Sequence, residues 1–328
     1  MRATFLAALI LSCGLSGGIA AADPSVQNAR TPKLPVLPDL GPKDELKAYR
    51  SPAESFQVQL STPKVTRTYI QYEVSFPSIR QNRWKTVTGL YFEPVGLKPG
   101  AQVPGAVVVH HLGGRFDAEV ILAQHLASNG VAAFFLELPN YGRRQIKGTK
   151  QGFVRLGADG ASEGFQQAAL DVIRSADFLR SRPEVASDRV GAVGISLGAF
   201  VTAVARGVDP RLGRTVLLLG GGGLDTMINS FKESKALLDH LGVKPEQLGA
   251  IFKDVDPITF ASRVHPADVL MVNGLKDKIV PPKATKDLWN ALGRPQIKWY
   301  DVDHYGLVNH LPEVLDMTLK HLSGRSTF

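Results

Sequence analysis

The amino-acid sequence predicts an α/β fold built on a doubly wound, mostly parallel sheet. From residue 104 onward, short apolar runs recur without clean alternation: Ala106–His110, Val131–Leu136, Val190–Gly194, Thr215–Leu219, Val269–Val272 and Ile297–Tyr300. Such runs suit strands buried on both faces of a parallel sheet. Segments with apolar residues at helical spacing separate them, and sustained strand–helix alternation is the pattern of helices packed on both faces of one sheet.

Taken in order, the 328-residue chain opens with Arg2, an apolar run Thr4–Leu11, and Ala20-Ala21-Ala22 before Asp23. Residues 1–22 are therefore expected to be a secretory signal peptide, which makes the protein secreted or periplasmic. The apolar run is shorter than the roughly 20 residues that cross a bilayer. Cys13 is the single cysteine, so the expected mature chain has no disulfide. Residues 23–55 hold Pro32, Pro35, Pro38 and Pro42 and no sustained apolar period, and read as a linker that wraps the surface or stays mobile. Residues 56–328 form the main domain. Thr66–Phe76 and Val87–Phe92 are expected strands, with a turn around Pro77–Arg83.

Helices are expected at Ala118–Asn129, Gly164–Arg182, Ser196–Gly207, Pro282–Leu292 and Leu311–Leu322. In Gly164–Arg182, residues Phe165, Ala168, Ala169, Val172, Ala176 and Leu179 make one stripe. Residues 221–262 are too long for a simple crossover and read as an inserted cap, with helices at Met227–Leu241 and near Glu246–Phe252.

The formal charge of +8 is spread among acids, and no nucleic-acid-binding motif accompanies it. No segment after residue 22 has the length and apolarity of a membrane span. One stretch stands out. Gly142 to Arg155 carries Arg143, Arg144, Lys147, Lys150 and Arg155 with no acid among them. It follows a predicted strand, so it leaves from the sheet edge where ligands bind in open α/β folds. Arg143 and Arg144 are candidate substrate-mouth residues biasing the site toward anionic or polyhydroxylated esters; the plainer alternative is a solvated loop.

The chemistry centres on Gly194-Ile195-Ser196-Leu197-Gly198. This G-x-S-x-G follows an expected strand directly and opens an expected helix. The glycines permit a turn that sharp, and the turn lifts the serine hydroxyl above the strand ends. A serine needs a base. Asp277 lies just past the strand ending at Val272-Asn273-Gly274, and His304 lies in the loop after Trp299-Tyr300. Both are expected on the edge that carries Ser196, in the order Ser, Asp, His. His304 then serves as general base and acid and Asp277 orients it; Asp301 and Asp303 are rival acids. The oxyanion is expected to meet the backbone N–H of Leu197 and a second N–H from His110-His111-Leu112-Gly113-Gly114, with Leu112 preferred and Gly113 the alternative. The adjacent histidines point apart on an extended segment and have no carboxylate–histidine cluster beside them, so no metal is expected.

These residues carry a resemblance. His110-His111-Leu112-Gly113-Gly114, the serine pentapeptide, Asp277 in Gly274-Leu275-Lys276-Asp277-Lys278-Ile279-Val280-Pro281-Pro282 and His304 in Asp303-His304-Tyr305-Gly306 resemble the α/β-hydrolase superfamily, in its dienelactone-hydrolase-like and acetyl-xylan-esterase-like branch. The resemblance spans about residues 65–322. It implies an α/β-hydrolase fold and ester hydrolysis through an acyl-enzyme without a cofactor, on a small-molecule or glycan ester. Two departures stand. His110-His111 replaces the usual His-Gly, and Ser196 occupies the place of the cysteine of dienelactone hydrolases proper. A peptidase or amidase would use the same triad, and a non-catalytic binding protein is the third possibility. Residues 23–65 are too few for a gating domain of the kind that accompanies some peptidases, which favours the esterase.

Overall fold

The computed structural model describes residues 27–28, 44–49, 55–230 and 244–325. The expected signal peptide lies outside the described residues, as do residues 231–243 of the expected cap.

Eleven strands among the described residues form one sheet: β1 (Gln27–Asn28), β2 (Gln59–Leu60), β3 (Lys64–Val65), β4 (Tyr69–Pro77), β5 (Thr86–Pro94), β6 (Val103–Val109), β7 (Ala132–Leu136), β8 (Val185–Ile195), β9 (Thr215–Leu218), β10 (Val269–Gly274) and β11 (Gln296–Tyr300). The main path runs β4-β5-β7-β6-β8-β9-β10-β11. β4, β5 and β7 pair antiparallel, and everything from β7 to β11 is parallel. The strand order reverses at β6, flanked by β7 and β8, and a ligand crevice opens at such a reversal beyond the strand carboxyl ends.

The alternation hidden inside the apolar runs becomes visible in the packing. On β7, Ala132, Phe134 and Leu136 enter one core, while Ala133 and Phe135 enter the other. On β6, Val107 and Val109 take the first side and Ala106 and Val108 the second. The first core is covered by α2 (Gly157–Arg180) and α3 (Leu197–Val208). The second is covered by α1 (Asp117–Ser128) and α8 (Leu311–Ser323). Both faces are thus dry, which is why the strands read as unbroken apolar runs.

Parts of the expected linker and of the expected cap are tied into this body. Residues 44–49, inside the expected linker, form a 3₁₀ turn that buries Leu46 and Tyr49, and the Tyr49 hydroxyl donates to the Asp254 carbonyl at 2.5 Å. The described part of the expected cap holds α4 (Leu224–Ser230), α5 (Leu248–Phe252) and α6 (Pro257–Phe260). Leu248, Phe252, Val255 and Phe260 are buried in the same core as α2 and α3, so this part of the insertion is a piece of the body and not a separate layer. The last crossover helix is α7 (Pro282–Ala291). α2 begins seven residues before the expected Gly164. Its first turns, Gly157-Ala158-Asp159-Gly160, carry two glycines and no apolar stripe to announce a helix.

Candidate active site

β8 feeds straight into α3, and Ser196 is the hinge between them. Its backbone sits at φ 53°, ψ −113°, in the positive-φ half that a serine rarely visits. Such a conformation costs about 1–3 kcal/mol and persists only where the surroundings impose it. The surroundings are close. A Cβ on Gly194 would strike the Gly198 carbonyl, and one on Gly198 would strike the carbonyl oxygens of Val109 and His110. The Ser196 N–H donates to Leu218 on β9 at 2.8 Å, and its carbonyl accepts from the N–H of Ala199 at 2.8 Å. Side chain and backbone together leave Ser196 only 8% exposed, at the amino end of α3.

Two loops from the far side of the sheet reach this serine. His304, past the end of β11, faces it with Nε2 at 3.0 Å from Oγ. Its Nδ1–H donates to Asp277 Oδ2 at 2.7 Å. A carboxylate only accepts, so Nδ1 carries the proton and Nε2 is free to accept from the serine hydroxyl. Asp277 follows β10 and is buried. Its other oxygen accepts the N–H groups of Ile279 (2.8 Å) and Val280 (2.9 Å), which leaves Oδ2 to the histidine. The rival acids are engaged elsewhere: Asp301 pairs with Lys276 at the surface (2.7 Å), and Asp303 accepts from the Gly306 N–H (2.8 Å).

Opposite lies the loop after β6. His110 is fully buried. Its Nε2 accepts the Leu138 N–H at 3.1 Å and its Nδ1–H donates to the His111 carbonyl at 2.7 Å, a neutral tautomer with both nitrogens used. Burial pushes its pKa down to about 4. In a trans peptide the C=O and the following N–H point in opposite directions. With the His111 carbonyl turned in toward the His110 ring, the Leu112 N–H turns out. His111 itself is gripped by Glu119 of α1. The carboxylate Oε1 accepts the His111 backbone N–H (3.0 Å) and its Nδ1–H (2.6 Å). The hydrogen bond to Glu119 raises the His111 pKa. Burial works to raise the Glu119 carboxyl, yet the bonds and charge of His111 outweigh it and hold the group below the usual carboxylate range.

Residues 159–316 match the prolyl oligopeptidase family. Acetyl xylan esterase 1 from Thermoanaerobacterium sp. JW/SL YS485 shares the fold, with a TM-score of 0.65 over 89% of this chain and 96% of that one, at 19% identity. The chain has the α/β-hydrolase fold. The chain is also similar in fold to the acylaminoacyl peptidase of Pyrococcus horikoshii, with a TM-score of 0.59 and 16% identity over 81% of this chain and 47% of that one. An uncharacterized protein of Mycobacterium tuberculosis is 25% identical over 180 residues, 53% of this chain. The alignment spans 42% of that curated relative's length. Together these show likeness to proteins named as esterases and to proteins named as peptidases, on one shared fold.

The basic stretch of the chain departs from expectation. Arg143 donates to Glu73 (2.8 Å), to Glu137 (3.1 Å) and to the Gly89 carbonyl (3.0 Å). Arg144 is buried against Asp171 (2.7 Å) and also donates to the carbonyls of Glu137 and Trp84. Both guanidiniums are paired with acids, Arg144 in the interior and Arg143 at a partly exposed position, so neither projects an unpaired charge into a substrate mouth. The acids that meet them come from β4 and α2, distant in sequence, and from Glu137 just past β7. The same stretch does reach the loop after β6, through Gln151, whose side-chain oxygen lies against Gly114. Neither Gln151 nor Glu119 was expected at the site. An acid in the first turn of the helix after His110–Gly114 was the only signal for Glu119. Among the described residues, no group of three or more His, Cys, Asp or Glu side chains is arranged to hold a metal, and no helix is long and apolar enough to cross a membrane.

Proposed function

We propose that this chain is a carboxylic ester hydrolase that works through an acyl-enzyme on Ser196. It is exported by its first 22 residues and acts in the periplasm or outside the cell. One observation carries the catalytic reading: a continuous line of hydrogen bonds runs from a conformationally strained serine through His304 to Asp277. His304 Nε2 takes the hydroxyl proton as Oγ attacks the ester carbonyl carbon. The carbonyl oxygen becomes an oxyanion facing the Leu197 N–H, which at the first position of α3 has no partner within the helix, and the outward N–H of Leu112. The imidazolium then protonates the departing alkoxide, and the acyl group stays on Ser196. Water enters in the second half, giving its proton to His304, and the acid leaves as Oγ regains a proton. Asp277 holds one tautomer throughout and balances the transient positive charge.

The likeness in fold to an acetyl xylan esterase, with a TM-score of 0.65 against 0.59 for the acylaminoacyl peptidase, supports an ester over a peptide substrate. A small acylated carbohydrate or short-chain ester is the substrate class we favour. A panel of short and long p-nitrophenyl esters, acetylated xylo-oligosaccharides and peptide anilides tests it. The short esters are expected to be turned over fastest, and anilides cleaved faster than esters would replace this reading with a peptidase. Ser196→Ala should lower kcat by about 10⁴–10⁶ and abolish labelling by a fluorophosphonate. Labelling of the alanine variant at the wild-type rate would reject Ser196.

A further inference from the structure

The loop that presents Leu112 lacks backbone support of its own. Among the described residues, 111–115 neither donate nor accept any backbone–backbone hydrogen bond. Leu112 is half exposed, so core packing does not pin it. An unsupported peptide can rotate as a unit, turning its carbonyl where its N–H had been while the chain direction stays the same. At an oxyanion site such a rotation replaces a donor by a repelling oxygen. What stands against it here is a pair of side chains. His110 holds the His111 carbonyl from the buried side. Glu119 holds the His111 N–H and imidazole from α1.

We propose that Glu119 is a positioning residue for oxyanion stabilisation: by binding both N–H groups of His111 it keeps the His111–Leu112 peptide turned with its N–H toward the reacting carbonyl. The inference rests on the reading of Ser196 as nucleophile. Glu119 is fully buried, yet its Oε2 has no hydrogen-bond partner among the described residues. A carboxylate placed only to stabilise a helix start would face water, where solvation costs nothing. This one is taken out of water and directed at a single loop residue, whose backbone N–H and ring Nδ1–H both donate to it. The His111 ring in turn lies against Gly113, so the grip extends over the next residue.

Glu119→Ala removes the acceptor of both His111 N–H groups. In the full chain, this variant is expected to lower kcat for p-nitrophenyl acetate about 10- to 100-fold, a fraction of what loss of a whole oxyanion donor does. KM should stay within about twofold, because the ground-state carbonyl leans little on the donor. Affinity for a trifluoromethyl ketone, whose Ser196 adduct carries an oxyanion, should fall by the same factor as kcat. His111→Ala removes the imidazole and leaves the backbone bond, and should show a smaller loss of the same kind. Glu119→Gln is the conservative variant: its amide oxygen can replace Oε1 and keep both bonds, so it should restore most of the lost kcat. A merely structural role would lower Tm and leave kcat and ketone affinity of the folded protein unchanged. Wild-type kcat in folded Glu119→Ala or His111→Ala overturns the proposal. Ser196→Ala separates the two readings. If it is inactive while Glu119→Ala is fully active, only the role of Glu119 fails. If Ser196→Ala keeps full activity, the nucleophile assignment fails with it.

Discussion

The nucleophile elbow and the oxyanion loop end neighbouring strands, β8 and β6, and touch where Gly198 packs on the carbonyls of Val109 and His110. They are held in different ways. The elbow is a backbone object: two glycines admit carbonyl oxygens where a Cβ would collide, and Ser196 is tied by its own N–H and C=O. The oxyanion loop is a side-chain object, held by two histidines and a buried glutamate. Asp277 and His304 belong with the second kind. Steric packing is insensitive to pH and charge, whereas hydrogen-bonded titratable groups are sensitive to both. The difference teaches that one edge of a sheet can combine a rigid nucleophile with an adjustable electrophilic half.

The largest expected effect lies in the side-chain half. Asp277→Asn leaves the shape intact but allows the wrong imidazole tautomer, and should lower kcat about 10⁴-fold. If Asp301→Asn or Asp303→Asn proves the more damaging change, the geometry has been misread. Next comes a buried ion pair outside the site. Arg144→Ala strands the Asp171 carboxylate, and should lower stability by about 3–5 kcal/mol in chemical denaturation. Arg143→Ala, on a partly exposed pair, should cost about 0–1 kcal/mol. Neither change should alter the ratio of kcat/KM between an anionic and a neutral ester of the same leaving group. A selective loss for the anionic ester would restore the arginines to the mouth.

In the backbone half, Gly198→Ala should lower kcat/KM about 100-fold or more by displacing the elbow from β6 by a fraction of an ångström to an ångström. Full activity in that variant would break the contrast, since it would show that the elbow does not depend on the close approach. A pH-dependent effect concerns His110. Its folded pKa of about 4 lies below the ordinary histidine value of 6.5, so between those values the unfolded chain binds the extra proton. Stability from this group is complete above about pH 6.5 and is lost as pH falls toward 4. Between pH 7 and 5 the wild type should lose about 2 kcal/mol more than His110→Gln. Parallel stability–pH curves would remove the burial argument.

The same contrast explains what could be read from the sequence. Gly194 and Gly198 leave a five-residue signature because steric need is local. The parallel strands were legible as apolar runs because both faces of β6 and β7 are covered. Asp277 and His304 were legible because strand ends and chain order confine the choice. Glu119 was not, since its use depends on where α1 sets its first turn relative to the His111 peptide. Arg143 and Arg144 looked like an unscreened charge cluster because their acids lie elsewhere. Glu73 is 70 residues from Arg143, and Asp171 is 27 from Arg144. Charge runs report what neighbours in sequence lack, and nothing of what neighbours in space supply.

The clamp between Tyr49 and Asp254 has a consequence in time. Its partners are 205 residues apart, and the tyrosine ring also packs edge-on against Phe260, 5.6 Å between centroids. In a chain made amino end first, Tyr49 is available long before either partner exists. Closing a loop of that length opposes association by about 5 kcal/mol in chain entropy unless the intervening residues have already folded. The early segment is therefore a late closer. It docks on a body whose sheet is already assembled, and it is the first contact expected to release when the protein begins to unfold.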